Sequence, residues 1–445
     1  LDYQQSLDYL YNLINYEKTT FTYDDLKLDR MRELVKRLGN PQYSFPVALV
    51  AGSKGKGSTA YLLERMLAFT GISTGLFVKP HLFCFRERIR ANGSLISPAE
   101  LAAFMSRLQP VIESMGRESS LGKPTYFEVS VALALCFFAD LKVDRVVLEV
   151  GLGGRLDATN VVDPSLTVIT PISLDHTEIL GDTLSLIAGE KAGILRSGIP
   201  LVLAEQAEEA ERVFSDFARS LRVPVVSVAQ ESAYHIISRT WKGSHFTWRV
   251  RDGEWRKTFL PLVGDQQVGN FLTAVLAAQQ WGISLSPDQG FQEELERVSW
   301  PGRASLIATD PPVVFDVAHN QASFAFLCRS LREYFGFGRV IFLLGFLEGK
   351  DYAGVGKEVQ DFGGTVFLTS ALNPKTANPS NLHQYFTGDT TRVHIVKEPF
   401  AAKEQALEKA RKEKIPLVVA GSFYLAKLFY ESMNLGMQKE ELELC

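Results

Sequence analysis

Between Pro46 and Gly71 the chain has little conformational freedom. Pro46-Val47-Ala48-Leu49-Val50-Ala51 is an apolar run of strand length. It opens directly into Gly52-Ser53-Lys54-Gly55-Lys56-Gly57-Ser58-Thr59, and then Leu62, Leu63, Met66, Leu67 and Phe69 recur at helical spacing up to Gly71. Such a turn aims several backbone N–H groups at one point, with a helix N-terminus behind them and a lysine in reach, which is what a polyphosphate requires. Lys56 is placed to bridge β- and γ-phosphates, and Ser58 or Thr59 to offer a hydroxyl to magnesium, with Gly55 and Gly57 keeping the turn open. An extra glycine, Gly57, separates Lys56 from Ser58 where the usual P-loop has none. The plainer alternative is a glycine-rich turn without a ligand, and the flanking strand and helix weigh against it.

The rest of the chain repeats the grammar of short apolar strands alternating with helices, which predicts an α/β fold. A helix over 129–138, a buried strand over 145–150 opening into Gly151-Leu152-Gly153-Gly154-Arg155, and a strand over 166–172 ending in Asp175-His176 come first. A helix over 187–195, a strand over 199–203 and antiparallel strands beyond Val225 follow. After Trp300-Pro301-Gly302-Arg303 the α/β pattern restarts, so the expected division is a larger unit over 1–297 and a smaller, Rossmann-like one over 298–445. With 47 basic and 51 acidic side chains the net charge is −4, which gives no footprint for nucleic acid. The most apolar run, 129–139, is about half the roughly twenty residues of a membrane span. Cys84, Cys136, Cys328 and Cys445 have neither disulfide-framework nor zinc spacing, and no signal-peptide pattern opens the chain, so a cytoplasmic location is expected.

Several polar residues sit where chemistry is done in open α/β sheets, at strand ends. Glu149 ends an apolar strand, where an unpaired carboxylate is costly to bury. It either meets the magnesium of a bound nucleotide or pairs with Arg155 at the solvent end of the strand, and spacing leaves both open. His176 is a ligand candidate or a hydrogen-bonded strand-end histidine. Lys191 lies within a predicted helix and reads as a solvated side chain. Arg303 and Asp316, with His319 and Asn320 close behind, form a second polar cluster that either lines an interdomain cleft or caps a helix.

These segments, with Leu38-Gly39-Asn40-Pro41, Pro80-His81-Leu82, Thr125-Tyr126-Phe127-Glu128, the string from Leu148 to Asn160, Leu174-Asp175-His176-Thr177, Glu190-Lys191-Ala192-Gly193-Ile194 and Gly421-Ser422, resemble the folylpolyglutamate synthase and dihydrofolate synthase family, within the Mur ligase superfamily. The resemblance implies a P-loop ATPase domain of Mur ligase type and a Rossmann-like second domain. The implied reaction phosphorylates a carboxylate of a folate or dihydropteroate with ATP, and the amine of L-glutamate then attacks the acyl phosphate. It implies Ser58, Glu149 and His176 as magnesium ligands and Lys191 as a carbamylated lysine. Asn270, Arg303 and Asp316 become ATP contacts, and His319 and Ser422 become contacts to glutamate or the cleft. Phe83 and Tyr126 fall in segments near the pterin, and the family's usual state is a monomer.

Some positions depart from the family pattern. Val78-Lys79 replaces a Thr-Ser pair whose serine serves magnesium, Lys54 replaces an Asn, and Gln266, Val317, Gln321 and Lys375 stand in for His, Gly, Pro and Arg. Two rival readings are a Mur-type ligase for another carboxylate and a nucleotide- or folate-binding homologue that has lost turnover.

Overall fold

Residues 47–51 form strand β1 (Val47–Ala51) in the computed structural model, which describes residues 1–432 other than 18, 20 and 286–288; Cys445 lies outside them. Every β1 side chain is fully buried, and alternation deals them to two cores. Val47, Leu49 and Ala51 face one hydrophobic cluster, and Ala48 and Val50 the other. A strand covered on both faces belongs in the middle of a parallel sheet. The other strands are β2 (Thr74–Phe77), β3 (Ile89–Ala91), β4 (Ser94–Leu95), β5 (Arg145–Glu149), β6 (Leu166–Ile169), β7 (Leu201–Leu203) and β8 (Val225–Ser227). Their order is β4-β3-β2-β5-β1-β6-β7-β8. From β2 to β8 the pairs are parallel, with β3 and β4 an antiparallel edge.

One core is closed by the helix Tyr126–Leu141, which begins with a capping box. Thr125 accepts from the Glu128 N–H while Glu128 accepts from the Thr125 N–H. Arg30 pairs with the same carboxylate at 2.7 Å, fixing the helix start to the N-terminal segment. The other core holds the helices Lys56–Phe69 and Asp265–Gln280. The expected antiparallel strands are β9 (Ser232–Thr240), β10 (Gly243–Val250) and β11 (Arg256–Leu260), whose Phe246 and Trp248 pack edge-on against Phe271.

The second sheet comprises β12 (Ser305–Thr309), β13 (Pro312–Phe315), β14 (Val340–Leu344), β15 (Gly364–Leu368), β16 (Thr391–Ile395) and β17 (Leu417–Ala420). They lie in the order β12-β13-β17-β14-β15-β16, parallel from β13 to β16. Several contacts tie it to the preceding part of the chain, among them these. Phe83 and Cys84 join a cluster with Val313, Phe315 and Val317, Trp300 stacks on Tyr61 at 4.7 Å, and the Tyr334 hydroxyl donates to Asp265 at 2.6 Å.

Several predicted elements are shorter than expected: the strand over 145–150 ends at Glu149, and that over 199–203 begins at Leu201. The strand over 166–172 ends at Ile169, because the chain then turns so that the Pro171 carbonyl accepts from the Ser53 and Lys54 N–H groups. The helix over 187–195 runs instead from Leu184 to Lys191 and tightens into a 3-10 turn over Ala192–Ile194.

Candidate active site

Strands β2, β5, β1 and β6 are neighbours and parallel, so their carboxyl ends share one edge of the sheet. That edge carries Lys79, Glu149, the 52–59 turn and the 170–176 loop. From β1 the chain builds outward to one side through β2 and β5 and then to the other through β6, β7 and β8, so the connections diverge beside β1, the place where open α/β sheets hold ligands.

The turn is built on close approaches that need glycine. At Gly52, φ is +146°, and a Cβ would lie 1.9 Å from Thr170 Oγ1. At Gly55, φ is +83°, and a Cβ would lie 2.3 Å from Asn270 Oδ1. Asn270, buried on the helix Asp265–Gln280 and held by a 2.9 Å bond to Gln267, therefore lies against the turn. Ser58 and Thr59 are buried in the first helical turn, and the Thr59 hydroxyl has no partner. Lys56 Nζ donates to the carbonyls of Gly52 at 2.9 Å and Ser53 at 3.4 Å. Burial pushes its pKa down to about 8, the charges of Lys79 and Lys54 act the same way, and Glu149 and Asp175 oppose.

Glu149 does not pair with Arg155, which reaches Glu190 instead at 3.4 Å. Its carboxylate is buried at the start of the helix Lys56–Phe69, with Oε2 3.1 Å from where a Gly57 Cβ would sit. It accepts from the Lys79 main-chain N–H at 3.0 Å. Burial raises its pKa, against the charges of Lys56 and Lys79. His176 holds a left-handed conformation at φ +52°. Desolvation in the cleft and the cations Lys79, Lys350 and Lys56 push its ring down to about 3, so the ring is neutral and keeps a lone pair for a ligand.

A buried carboxylate with one hydrogen bond, beside the helix turn that carries Ser58, suits a small hard cation, for which the His176 imidazole is the less usual kind of ligand. Among the described residues no three His, Cys, Asp or Glu side chains form a metal cluster. A cation here draws on few protein groups and on phosphate and water, which is the habit of magnesium.

Lys191 corrects the solvated reading: it is buried, and burial with the nearby charges of Lys56 and Lys79 holds its pKa far below the ordinary lysine range. Helical position alone hid this, because Gly154 lets the 151–155 loop pack directly on the Lys191 backbone.

On the facing sheet, β13 runs into Asp316, β17 into Gly421-Ser422 and β14 into the loop that carries Lys350, again at carboxyl ends. Asp316 is half-buried and accepts from the N–H groups of Ala304 and Ala318, so it does not cap a helix. Asn320 does, as N-cap of the helix Gln321–Glu333. Arg303 is held by the Gly302 carbonyl; burial lowers its pKa, and the charges of Asp316 and Glu149 oppose that. His319 Nδ1 lies 2.9 Å from the Val317 carbonyl, which can only accept. Nδ1 therefore carries the proton and Nε2 the lone pair. Burial and the charges of Lys350 and Lys54 push the ring down to about 4. Ser422 is buried and its hydroxyl accepts from the Tyr424 N–H.

The two aromatic candidates are packed. Phe83 is enclosed in the interdomain cluster, so it serves as core there. Tyr126 is buried with its hydroxyl unpartnered, under the Arg88 guanidinium at 5.2 Å. Sequence reading missed Arg88, fully buried, which holds Glu17 through two hydrogen bonds and donates to His81 Nδ1. It also missed Lys350, whose only signal is its place just past the apolar run 340–344.

Residues 50–278 match the Mur ligase middle domain and residues 302–423 the Mur ligase, glutamate ligase domain. The chain is 35% identical over 361 residues to the dihydrofolate synthase/folylpolyglutamate synthase of Bacillus subtilis, covering 80% of this chain and 84% of that one. This chain belongs to the dihydrofolate synthase/folylpolyglutamate synthase family. A second member, from Escherichia coli, is 36% identical over 78% of this chain and 77% of its own length. Among solved members, Escherichia coli FolC in complex with DHPP and ADP superposes with a TM-score of 0.83 at 29% identity, covering 97% of both chains. Mycobacterium tuberculosis folylpolyglutamate synthase complexed with ADP gives 0.85 at 28% identity over 95% of this chain and 96% of that one.

Proposed function

We propose that the cleft between the two sheets carries out the family's ATP-dependent ligation, adding L-glutamate to a folate, to dihydropteroate, or to both. The observation that carries this is that charges of the two sheets act on one another across the cleft: Arg303 on Glu149, Lys350 on His176, and Lys54 on His319.

In this reading the turn from Gly55 to Thr59 holds the ATP phosphates, with Asn270 fixing its shape and Arg303 and Asp316 closing over the nucleotide. Ser58, Glu149 and His176 hold magnesium, which neutralises charge on the phosphates when bound. Lys56 leaves its weak carbonyl contacts for the γ-phosphate and stabilises the charge that moves as the substrate carboxylate attacks. Lys191, whose burial and the charges of Lys56 and Lys79 disfavour the ammonium form, is suited to carbamylation. His319 presents a lone pair at Nε2 that accepts a hydrogen bond from the glutamate nitrogen and orients it toward the acyl phosphate; the ammonium proton passes to solvent, because a ring pushed down to about 4 is too weak a base to hold it. Ser422 and Tyr126 are assigned to substrate contacts, and Phe83 supports that wall from behind. Closure of the two sheets excludes water from the acyl phosphate.

The division into 1–297 and 298–445, a monomeric state and a cytoplasmic location belong to the same proposal. The last is supported by three cysteines, Cys84, Cys136 and Cys328, that are free and buried, and no helix among the described residues is long and apolar enough to cross a membrane. The test is product identity: incubation with magnesium-ATP, L-glutamate and dihydropteroate or tetrahydrofolate is expected to give an acceptor heavier by one glutamyl residue. ATP consumption without that product overturns the assignment.

A further inference from the structure

Two segments of the cleft are strapped together more tightly than the fold requires. The Ser53 and Lys54 N–H groups both donate to the Pro171 carbonyl at 3.1 Å, and Ser53 Oγ donates to the Ser173 carbonyl at 3.0 Å. The fourth link alone is ionic: Lys54 Nζ reaches Asp175 Oδ2 at 3.0 Å. Asp175 directly precedes His176, which sits at φ +52° without being glycine. A residue in that region persists only when its surroundings over-determine it. The side chains of Lys54 and Asp175 are 24% and 14% exposed, so neither charge is well solvated if the other leaves.

The geometry points to Lys54 as a positioning residue: through Asp175 it locks His176 against the phosphate turn. The two lysines of the turn thereby divide the work. Lys56 is held only by main-chain carbonyls and is free to move to phosphate. Lys54 is committed to a carboxylate, and drawing it to phosphate leaves Asp175 unpaired beside His176. The inference rests on His176 being a metal ligand, since a residue one step behind a ligand sets that ligand's direction.

The test compares Lys54→Met, Lys54→Arg, Asp175→Asn and Lys54→Met/Asp175→Asn with the parent, reading kcat, KM for ATP, the Kd for ADP by calorimetry, and Mn2+ binding to the ADP complex by electron paramagnetic resonance. ADP binding also reports that each variant has folded. Lys54→Met and Asp175→Asn are expected each to lose about 10-fold or more in kcat and in Mn2+ affinity, within the range seen for groups that orient metal ligands. The Kd for ADP stays within about 3-fold, the double variant is no worse than the poorer single one, and Lys54→Arg recovers much of the loss. Weakened ADP binding in Lys54→Met but not in Asp175→Asn overturns the proposal in favour of a direct phosphate contact. Additive losses, or unchanged kcat in both single variants, overturn it as well. If the parent itself takes up no Mn2+, the metal reading of His176 fails and the inference falls with it, whereas a parent that takes up Mn2+ beside unaffected variants overturns the inference and leaves that reading standing.

Discussion

A lysine that donates to two carbonyls of its own turn is poised rather than satisfied. Lys56→Ala removes the cation nearest the phosphates without opening a core, so kcat is expected to fall by about 100-fold or more, the scale of losing one charge-stabilising donor. The thermal midpoint stays close to the parent's, and a calorimetric scan beside the rate assay checks both. Elsewhere, Glu17 illustrates a residue whose charge the fold depends on. Burial works to raise its pKa, but the Arg88 charge and its hydrogen bonds outweigh that and hold it near 2, against an ordinary 4.5. A carboxyl depressed in the folded state contributes stability above its ordinary pKa and loses it as pH falls toward the folded value. The gap in thermal midpoint between the parent and Glu17→Gln is therefore expected to be full at pH 7 and to shrink between about pH 4.5 and 2. A gap independent of pH contradicts the ion pair.

At the scale of elements, the strand–turn–helix around Gly55 was readable because its constraints are local: an apolar strand, glycines where φ is positive, and a helical period. Gly55→Ala tests the geometry behind that reading. An alanine there meets Asn270 Oδ1 in a left-handed conformation, and a cost of about 1–2 kcal/mol in stability is expected, with weaker ADP binding, both measurable in one titration series. Unaltered ADP affinity contradicts the contact between Asn270 and the turn. The end of β6 was misjudged for the opposite reason. Thr170 and Pro171 look like strand continuation, and only the pull of Ser53 and Lys54, more than a hundred residues away in sequence, turns the chain there. Lys191 was likewise illegible from periodicity, since its burial comes from a glycine in another loop.

Across the whole molecule, sequence showed two α/β units and which strand ends carry polar groups, but not how the units face each other. That depends on pairings such as Tyr334 with Asp265 and Ser244, or Trp300 on Tyr61, for which no local pattern exists. Tyr334→Phe deletes the hydroxyl shared by both units, leaving Asp265 to Arg239 alone. A loss of about 1 kcal/mol in denaturant unfolding is expected, and no change indicates that the joint is held by apolar contacts. With the units apposed, the acyl phosphate needs the first sheet and its capture by glutamate the second, so the account expects ATP turnover to depend on both substrates. The most direct measurement is ADP release from magnesium-ATP with each substrate omitted in turn. The account predicts sustained release only when a folate-type acceptor and L-glutamate are both present. Sustained release without glutamate, or none with both substrates while ADP still binds, contradicts it.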